Sequence, residues 1–318
     1  MADNTITSDA SSYHVPVLLA EVIAQLAILP DGTYVDCTFG GGGHSRAILS
    51  ALSPKGRLVV FDQDEDARAN APADPRLVFV PHNFRHLRRF LQLQGIAEVD
   101  GLLADLGVSS HQFDEGGRGF STRFDARLDM RMDQRREKTA GAILRTYSEA
   151  QLHKLFEQYG EVTNSKTLAR TIVDVRRTVS LDTTDAFKKA VASVVKGNPN
   201  KYFAQVFQAL RIEVNDEMGA LTELLEQIPP VLKPGGRAAI ITFHSLEDRL
   251  VKLFFRNGTL EAEEENPFQM TTRRNPLRLV TKKPVEATEE ERKRNPRSRS
   301  AKLRVAEKKE EADNEGSL

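Results

Sequence analysis

Thr33-Tyr-Val-Asp-Cys-Thr-Phe-Gly-Gly-Gly-Gly43 is the stretch of sequence that decides the fold. Thr33 to Cys37 has the length and composition of a strand, Gly40 to Gly43 form a turn, and Ser45 to Leu52 are predicted to be the next helix. Glycine suits this turn because a ligand can approach the backbone closely only where no Cβ intervenes, and the helix N-terminus just beyond supplies N–H donors. The stretch therefore predicts a nucleotide-like ligand at the end of the first strand.

The alternation of strands and helices continues on both sides of this stretch. A helix is predicted over Val17 to Leu29, and further strands are predicted over Arg57 to Phe61, Leu77 to Val80 and Gly101 to Leu106. Four β–α units in a row are typical of an α/β fold with a doubly wound, mostly parallel sheet.

From Phe113 to about Val214 the helical period replaces the alternating pattern, which predicts an inserted all-helical domain. Its helices are expected over Glu149 to Tyr159 with a Ser148/Gln151 capping box, Ser165 to Arg177 capped by Asn164, and Asp185 to Val195 capped by Thr183 or Thr184. One long helical stretch, Asn200 to Ile228, leads back to the sheet, whose last strands are predicted over Arg237 to Phe243 and Leu303 to Ala306.

These elements predict a division of the 318 residues into four parts. We expect a disordered leader over 1–12, a sheet domain over 13–112 and 215–308, the helical insertion over 113–214, and a charged tail over 309–318.

Bulk composition narrows the class of protein. Cys37 is the only cysteine, no apolar window is long enough to cross a bilayer, and the first residues lack the features of a secretory signal, so we expect a cytoplasmic protein. Basic and acidic residues balance at 45 each, but Thr271 to Val305 carries twelve basic against four acidic residues, a local net charge of +8.

Two nucleotide ligands compete for the glycine run. A dinucleotide fold requires G-x-G-x-x-G, and counting from Gly40 and Gly42 places Ser45 where the third glycine should be, which weakens that interpretation without excluding it. S-adenosylmethionine enzymes commonly show an acidic residue followed by glycines at alternate positions, and Asp36, Gly40 and Gly42 fit that pattern. Both interpretations require an acid at Asp62, where a carboxylate can accept hydrogen bonds from ribose hydroxyls.

Two further residues follow predicted strands. Phe84 could cover an adenine face, although an aromatic side chain at such a place is as often part of the core. Asp105 ends the fourth strand, at the edge where open α/β sheets bind their ligands.

His82 and His86 have the spacing of zinc ligands, but no third ligand is nearby, so no metal site is predicted. A hydrolase is disfavoured because no G-x-S-x-G elbow surrounds Ser245.

Seven ordered motifs carry a resemblance to a known family. They are His14-Val-Pro-Val-Leu-Leu, Gly40 to Ser45, Asp105-Leu-Gly-Val-Ser-Ser, Leu128-Asp-Met-Arg-Met-Asp, Phe207-Gln-Ala-Leu-Arg-Ile-Glu-Val-Asn, His244-Ser-Leu-Glu-Asp-Arg and Asn295-Pro-Arg-Ser-Arg-Ser-Ala-Lys-Leu-Arg. From about His14 to Lys308 the chain resembles the ribosomal RNA small subunit methyltransferase H family.

The resemblance implies a Rossmann-like class I methyltransferase with a helical, substrate-recognising insertion. It further implies S-adenosylmethionine-dependent methylation of the N4 amino group of a cytosine in the decoding region of 16S RNA. Carried over by motif, the cofactor contacts fall on Gly42, Gly43, His44, Asp62, Phe84, Asp105 and Gln112.

The acceptor chemistry is predicted from the same strand ends. We hypothesise that Asp105 and the Ser109/Ser110 loop accept protons of the cytosine amino group, and that His244 and Glu247 form the opposite wall. The alternatives are structural: Asp105 could only orient the cofactor, His244 could be a strand-end histidine, and Glu247 could belong to a helix start.

The partner implied is 16S RNA or the small ribosomal subunit, and no membrane. An RNA surface is predicted at the basic residues Arg118, Arg123, Arg127, Arg131, Arg273, Arg274, Arg294, Arg297 and Arg299. The insertion could also serve a homodimer, although the helix patterns do not require one. Two other functions stay open at this point, a nicotinamide-dependent oxidoreductase and a non-catalytic RNA-binding module.

Overall fold

The computed structural model describes residues 16–109, 112–113, 116–261 and 274–310. The predicted leader over 1–12 and residues 311–318 of the predicted tail lie outside the described residues. No helix of the described ranges is long and apolar enough to cross a membrane.

The described residues form one central eight-stranded sheet with the order β3-β2-β1-β4-β5-β8-β6, and β7 also pairs with β8. Strands β1 to β5 run parallel, whereas β8 runs antiparallel to β5, β6 and β7. The strands span Thr33–Asp36, Arg57–Phe61, Leu77–Val80, Val99–Asp105, Leu232–Thr242, Leu277–Leu279, Val285–Glu286 and Lys302–Lys308.

Helices cover both faces of this sheet, which confirms the predicted α/β class. Helices α1 (Leu19–Leu26) and α2 (Gly43–Ala51) pack on one face, while α3 (Leu87–Leu93), α9 (Glu217–Val231) and α10 (Ser245–Asn257) pack on the other. Because β1 lies between β2 and β4, the direction of winding reverses there, and the carboxyl ends of β1 and β4 flank the crevice in which such sheets bind ligands.

The insertion is helical and has a hydrophobic core of its own. Its helices are α4 (Ala140–Thr146), α5 (Glu149–Gln158), α6 (Ser165–Val175), α7 (Thr184–Ala190) and α8 (Pro199–Asn215). The Ser148/Gln151 capping box and the Thr183 cap are present as predicted. Asn164 precedes α6 without a side-chain capping bond, since its backbone, with φ −112° and ψ 33°, lacks the extended conformation typical of a capping residue. Its Nδ2 donates to the carbonyl of Val194 at 2.8 Å.

The prediction of one helical stretch over Asn200 to Ile228 is wrong at its middle. Asp216 has a φ of 52°, which ends α8 and begins α9. An ion pair with Arg85 at 2.6 Å holds the Asp216 carboxylate at this break. The break has no glycine or proline to mark it, so the helical period alone could not locate it. The predicted helix over Asp185 to Val195 likewise ends at Ala190 and gives way to a short 3-10 turn over Ala192–Val194.

Four elements of the C-terminal part have no counterpart in the predicted strands and helices: β6, β7, α10, of which only a start near Glu247 was considered, and the short helix α11 (Glu289–Arg294). Glu291 of α11 accepts a hydrogen bond from the backbone N–H of Leu18 at 2.8 Å. The C-terminal part is thereby tied to the N-terminal segment beside the glycine loop.

Candidate active site

A cleft of about 830 Å³ opens at the carboxyl ends of β1, β2, β4 and β5. Distant parts of the chain meet on its surface. The N-terminal segment contributes Pro16 and Val17, and the ends of the parallel strands contribute residues between Thr38 and Gln112. The insertion and the helix after it contribute Met132, Arg211, Asn215 and Glu217, and the C-terminal part contributes Phe243, Glu247 and Arg297.

The glycine loop lies on the cleft as the sequence predicts, but its members differ in role. Gly40, Gly41 and Gly43 line the cleft, whereas Gly42 does not. Gly42 has a φ of +73°, and a Cβ there would lie 2.8 Å from the Phe39 ring. A Cβ on Gly43 would lie 2.2 Å from Pro16. Gly42 and Gly43 therefore allow close packing beneath the loop, and Gly40 and Gly41 leave its backbone open to a ligand.

Asp62 follows β2 and lines the cleft. Its Oδ2 accepts from the N–H of Gly40 at 2.8 Å, and its Oδ1 accepts from the N–H of Asp64 at 2.9 Å. Burial raises the pKa of this carboxyl to about 7, since these two bonds only partly compensate for lost hydration. Two backbone donors fix the carboxylate beside the glycine loop, and each oxygen keeps acceptor capacity for a ligand hydroxyl.

Asp36 was predicted as a cofactor contact, but the structure does not bring it to the cleft. It is 1% exposed, and its carboxylate accepts bonds from Thr38 N at 3.0 Å and Ser45 Oγ at 2.6 Å. Burial is the main cause of its raised pKa. Asp36 thus joins the end of β1 to α2. Its hydrogen-bond partner Ser45 occupies the position at which a dinucleotide-binding motif would have its third glycine.

Asp105 ends β4 on the cleft, and its carboxylate is the least satisfied of the three strand-end acids. In the described ranges no donor lies within hydrogen-bonding distance of either oxygen, and Oδ1 is buried. The nearest cationic candidate is His44, whose Nδ1 lies 3.7 Å from Oδ2. His44 Nε2 lies 2.9 Å from the carbonyl of Val17, so it donates there and Nδ1 faces Asp105. Burial raises the pKa of Asp105 to about 6.

Phe84, Ser109 and Gln112 also line the cleft, as predicted. Gln112 Nε2 donates to Asp64 Oδ2 at 2.7 Å, and its Oε1 accepts from Ser109 N at 3.1 Å. Gln112 therefore holds the loop after β4 against the segment that carries Asp62. Ser110, the other hydroxyl predicted for this loop, lies outside the described residues.

Of the two residues predicted for the opposite wall, Glu247 lines the cleft and His244 does not. They form a capping box at the start of α10: Glu247 N donates to His244 Nδ1 at 3.4 Å, and Phe243 N donates to Glu247 Oε2 at 2.8 Å. Burial would raise the pKa of Glu247, but the His244 contact, the Phe243 bond and the Arg211 charge outweigh it and hold the pKa below its ordinary value. The geometry favours the structural alternative for His244.

Sequence reasoning missed a polar group that comes from the end of α8. Arg211, Asn215 and Glu217 line the cleft, and Arg211 makes a two-point ion pair with Glu217 at 2.8 and 2.9 Å. Asn215 binds backbone groups only, with Met132 N donating to it and its Nδ2 donating to the carbonyls of Met130 and Arg211. The motif Phe207 to Asn215 contains Arg211 and Asn215, and Glu217 begins α9, but nothing in the spacing of the motif shows that it reaches the sheet edge.

Comparison with known proteins decides the family. Residues 11–309 match the model of the MraW methylase family. The chain belongs to the MraW methylase family. It is 54% identical over 300 residues to a ribosomal RNA small subunit methyltransferase H of Parabacteroides distasonis, covering 94% of this chain and 98% of that protein. The same-named protein of Flavobacterium johnsoniae is 52% identical over 297 residues, covering 93% and 98%. A solved rRNA methylase structure from Streptococcus thermophilus aligns with a TM-score of 0.41 at 12% identity, over 94% of this chain and 100% of that one.

In this member of the MraW methylase family, the arginines predicted to bind RNA fall into distinct environments. Arg118 forms an ion pair with the buried Asp64, and Arg131 forms a two-point pair with Asp129 at 2.7 Å. These two arginines are therefore engaged within the insertion and with the sheet domain, and their assignment to the RNA surface stays a prediction. Arg123 and Arg297 lie 5.2 and 5.3 Å from the centre of the Phe113 ring. The exposed members among the described residues are Arg123, Arg127, Arg274, Arg294 and Arg299, while Arg273 lies outside them.

Among the described residues, one group of this methylase has metal-ligand atoms close together: Glu217, His244 and Glu247, within 4.8 Å of one another. Each has another structural task, because Glu217 pairs with Arg211, and His244 and Glu247 cap α10.

Proposed function

We propose that this chain uses S-adenosylmethionine to methylate the N4 amino group of a cytosine in the decoding region of 16S RNA. Membership in a methylase family and the names of its half-identical relatives support the reaction class and the RNA. The observation that carries the proposal is the Asp105 carboxylate, which lines the cleft and has no hydrogen-bond donor in the described ranges.

The cofactor side of the cleft fits S-adenosylmethionine. Asp62 is placed to accept from the ribose hydroxyls, because backbone donors already fix its orientation. The open backbone of Gly40 and Gly41 suits the amino-acid end of the cofactor, and Phe84 supplies an apolar surface for adenine. Bound S-adenosylmethionine supplies an electrophilic methyl group on its sulfonium.

The acceptor side must hold the cytosine amino group in line with that methyl group and take up one proton. The nitrogen forms a bond to the methyl carbon as the carbon–sulfur bond breaks, and the nitrogen then loses a proton. Asp105 is the proposed acceptor of that proton, since its buried Oδ1 has no hydrogen-bond donor among the described residues. His44, anchored by Val17, faces Asp105 and would stabilise its ionised form when protonated.

The target base must leave its stack to enter a cleft at a sheet edge. The exposed arginines of the C-terminal part, Arg294 and Arg299, are proposed to contact phosphates around it, together with Arg297 at the cleft. A partnership with the small ribosomal subunit follows from this substrate. The homodimer and the cytoplasmic location stay predictions.

The test is transfer of a labelled methyl group to small ribosomal subunits that lack the modification, followed by mapping of the product nucleotide. Label on the N4 of one cytosine of 16S RNA is the expected result. Label on another nucleotide would contradict the site of transfer. No incorporation into subunits at any assembly stage would favour a non-catalytic RNA-binding module.

A cheaper titration addresses the nicotinamide alternative. A ligand that binds the native state raises its stability, so S-adenosylhomocysteine should raise the melting temperature and NAD should not. Stabilisation by NAD alone would overturn the cofactor assignment.

A further inference from the structure

We infer that Arg211 is the residue that distinguishes cytosine, by donating a hydrogen bond from Nη1 to the N3 and O2 edge of the base while Asp105 accepts from its amino group. This inference rests on the proposed function. It concerns a residue of the insertion rather than one of the sheet domain that carries the cofactor loop.

The guanidinium of Arg211 has a fixed plane. Its Nε and Nη2 donate to the two carboxylate oxygens of Glu217 at 2.8 and 2.9 Å, and the two side chains are only 16% and 12% exposed. A two-point pair fixes both position and orientation, which a single bond does not. The remaining donor group, Nη1, has no hydrogen-bond partner in the described part of the chain, although the residue lines the cleft.

The polar neighbours of Arg211 at the end of α8 cannot perform this task. Both functional groups of Asn215 are engaged with backbone groups of Met130, Met132 and Arg211. Glu217 offers acceptors only, and they hold Arg211. Among these three residues Arg211 alone can supply a donor to a base.

Arg211 and Asp105 both line the cleft, and Glu247 lines it as well. Glu247 lies near enough to both for its charge to raise the pKa of each, although for Asp105 burial is the larger cause. Glu247 itself is 3% exposed, and its carboxylate is engaged with the start of α10, so it offers little free acceptor surface to a base.

Asp105 and Arg211 together match the hydrogen-bonding pattern of cytosine. Cytosine presents an amino donor beside the N3 and O2 acceptors, whereas uracil presents a carbonyl beside an N–H. A carboxylate next to an arginine donor complements the first pattern and opposes the second. A flipped base is read on this edge in other enzymes that act on bases.

The experiment compares two substrates and three proteins. Small subunits are reconstituted with 16S RNA, ligated from fragments, that carries either cytidine or 3-deazacytidine at the mapped position; the analogue lacks the N3 acceptor and keeps the amino group. kcat/KM for methyl transfer is measured for the wild-type protein, Arg211→Met and Arg297→Met. Binding of S-adenosylhomocysteine confirms that each variant is folded with an intact cofactor side.

The wild-type protein should lose roughly 10- to 100-fold in kcat/KM on the analogue, as expected for a lost hydrogen bond to a charged group. Arg211→Met should lose a similar factor on cytidine and little more on the analogue. Arg297→Met, the matched control, should lose the same additional factor on the analogue as the wild-type protein does.

Two results would overturn the inference. If the analogue lowers kcat/KM of Arg211→Met as much as that of the wild-type protein, or not at all in the wild-type protein, Arg211 does not contact N3, and the proposed function stands. If the wild-type protein methylates neither substrate on N4, the proposed function fails and this assignment fails with it.

Discussion

The two sides of the cleft are built in different ways. The cofactor side comes from one continuous part of the chain, the ends of β1 to β4 and the loops after them, and backbone amides orient its key acid, Asp62. The proposed acceptor side combines Asp105, at the end of β4, with residues from the end of α8, the start of α10 and the C-terminal arginines, and side chains orient one another there. A substitution on the cofactor side should therefore affect mainly the residue that is changed. A substitution on the acceptor side also depends on how the insertion and the C-terminal part pack against the sheet domain.

The largest effect is expected on the acceptor side, at Asp105. Asp105→Asn keeps the shape but removes the proton acceptor, so turnover should fall roughly 10²- to 10⁴-fold in single-turnover methyl transfer. S-adenosylhomocysteine affinity, measured by calorimetry, should change little. Full activity, or a loss explained wholly by weaker cofactor binding, would show that Asp105 only orients the cofactor.

The same carboxyl predicts a pH dependence. Burial is the main reason that the pKa of Asp105 is raised to about 6. The charges of Asp36 and Glu247 raise the pKa further, whereas those of His44 and Arg297 lower it. Only the ionised form accepts a proton, so the single-turnover rate should rise as the pH increases through about 6 and then level off. A rate that does not change between pH 5 and 8 would contradict this role.

The next largest effect is expected in the glycine loop. Gly42 and Gly197 have φ values of +73° and +70°, but only Gly42 is crowded, by Phe39. Gly197→Ala should cost about 1–2 kcal/mol of unfolding free energy from the left-handed backbone alone. Gly42→Ala should cost roughly 1–3 kcal/mol more, from overpacking. Urea denaturation checks both, and equal costs would show that the Phe39 contact is easily relieved.

A smaller effect is expected at Asp62. Asp62→Asn should weaken S-adenosylhomocysteine binding by roughly 10- to 100-fold, the worth of hydrogen bonds to a charged acceptor. In the wild-type protein the affinity should fall as the pH is lowered through about 7, because protonation removes that charge and the pKa lies near 7. Affinity unchanged from pH 8 to 6 would place the ribose elsewhere.

The smallest effect on ligand binding is expected at the RNA surface, where two arginines should behave differently. Arg299 is exposed, whereas Arg118 pairs with the buried Asp64. Arg299→Met should lower the slope of log affinity against log salt for RNA by about one unit. Arg118→Met should leave that slope unchanged and reduce stability by roughly 3–5 kcal/mol, as loss of a partner from a buried pair does. The opposite outcome would place Arg118 on the RNA surface.

The sequence was most informative where structure is local. The bounds of β2 and β3, the Ser148 capping box and the cleft positions of Gly40, Asp62 and Asp105 all follow from patterns within a few residues. The failures are non-local. Nothing near Asp36 shows that Ser45 and Thr38 engage its carboxylate, and nothing near Arg118 shows that Asp64 lies opposite.

Arg211 is the clearest case of this limit. It lies in the middle of a helical stretch whose predicted continuity hid the break at Asp216, and that break sets the start of α9 at Glu217, its ion-pair partner. A periodicity argument treats the stretch as one helix and gives no reason to expect an arginine that lines the cleft there.

The most direct test of the two-sided cleft is a crystal structure with S-adenosylhomocysteine and cytidine 5′-monophosphate bound together. The account predicts ribose hydroxyls of the cofactor on Asp62, the cytosine amino group on Asp105, and the N3 and O2 edge of the base facing Arg211. A cytosine bound away from Asp105, or a cofactor ribose that does not contact Asp62, would contradict it.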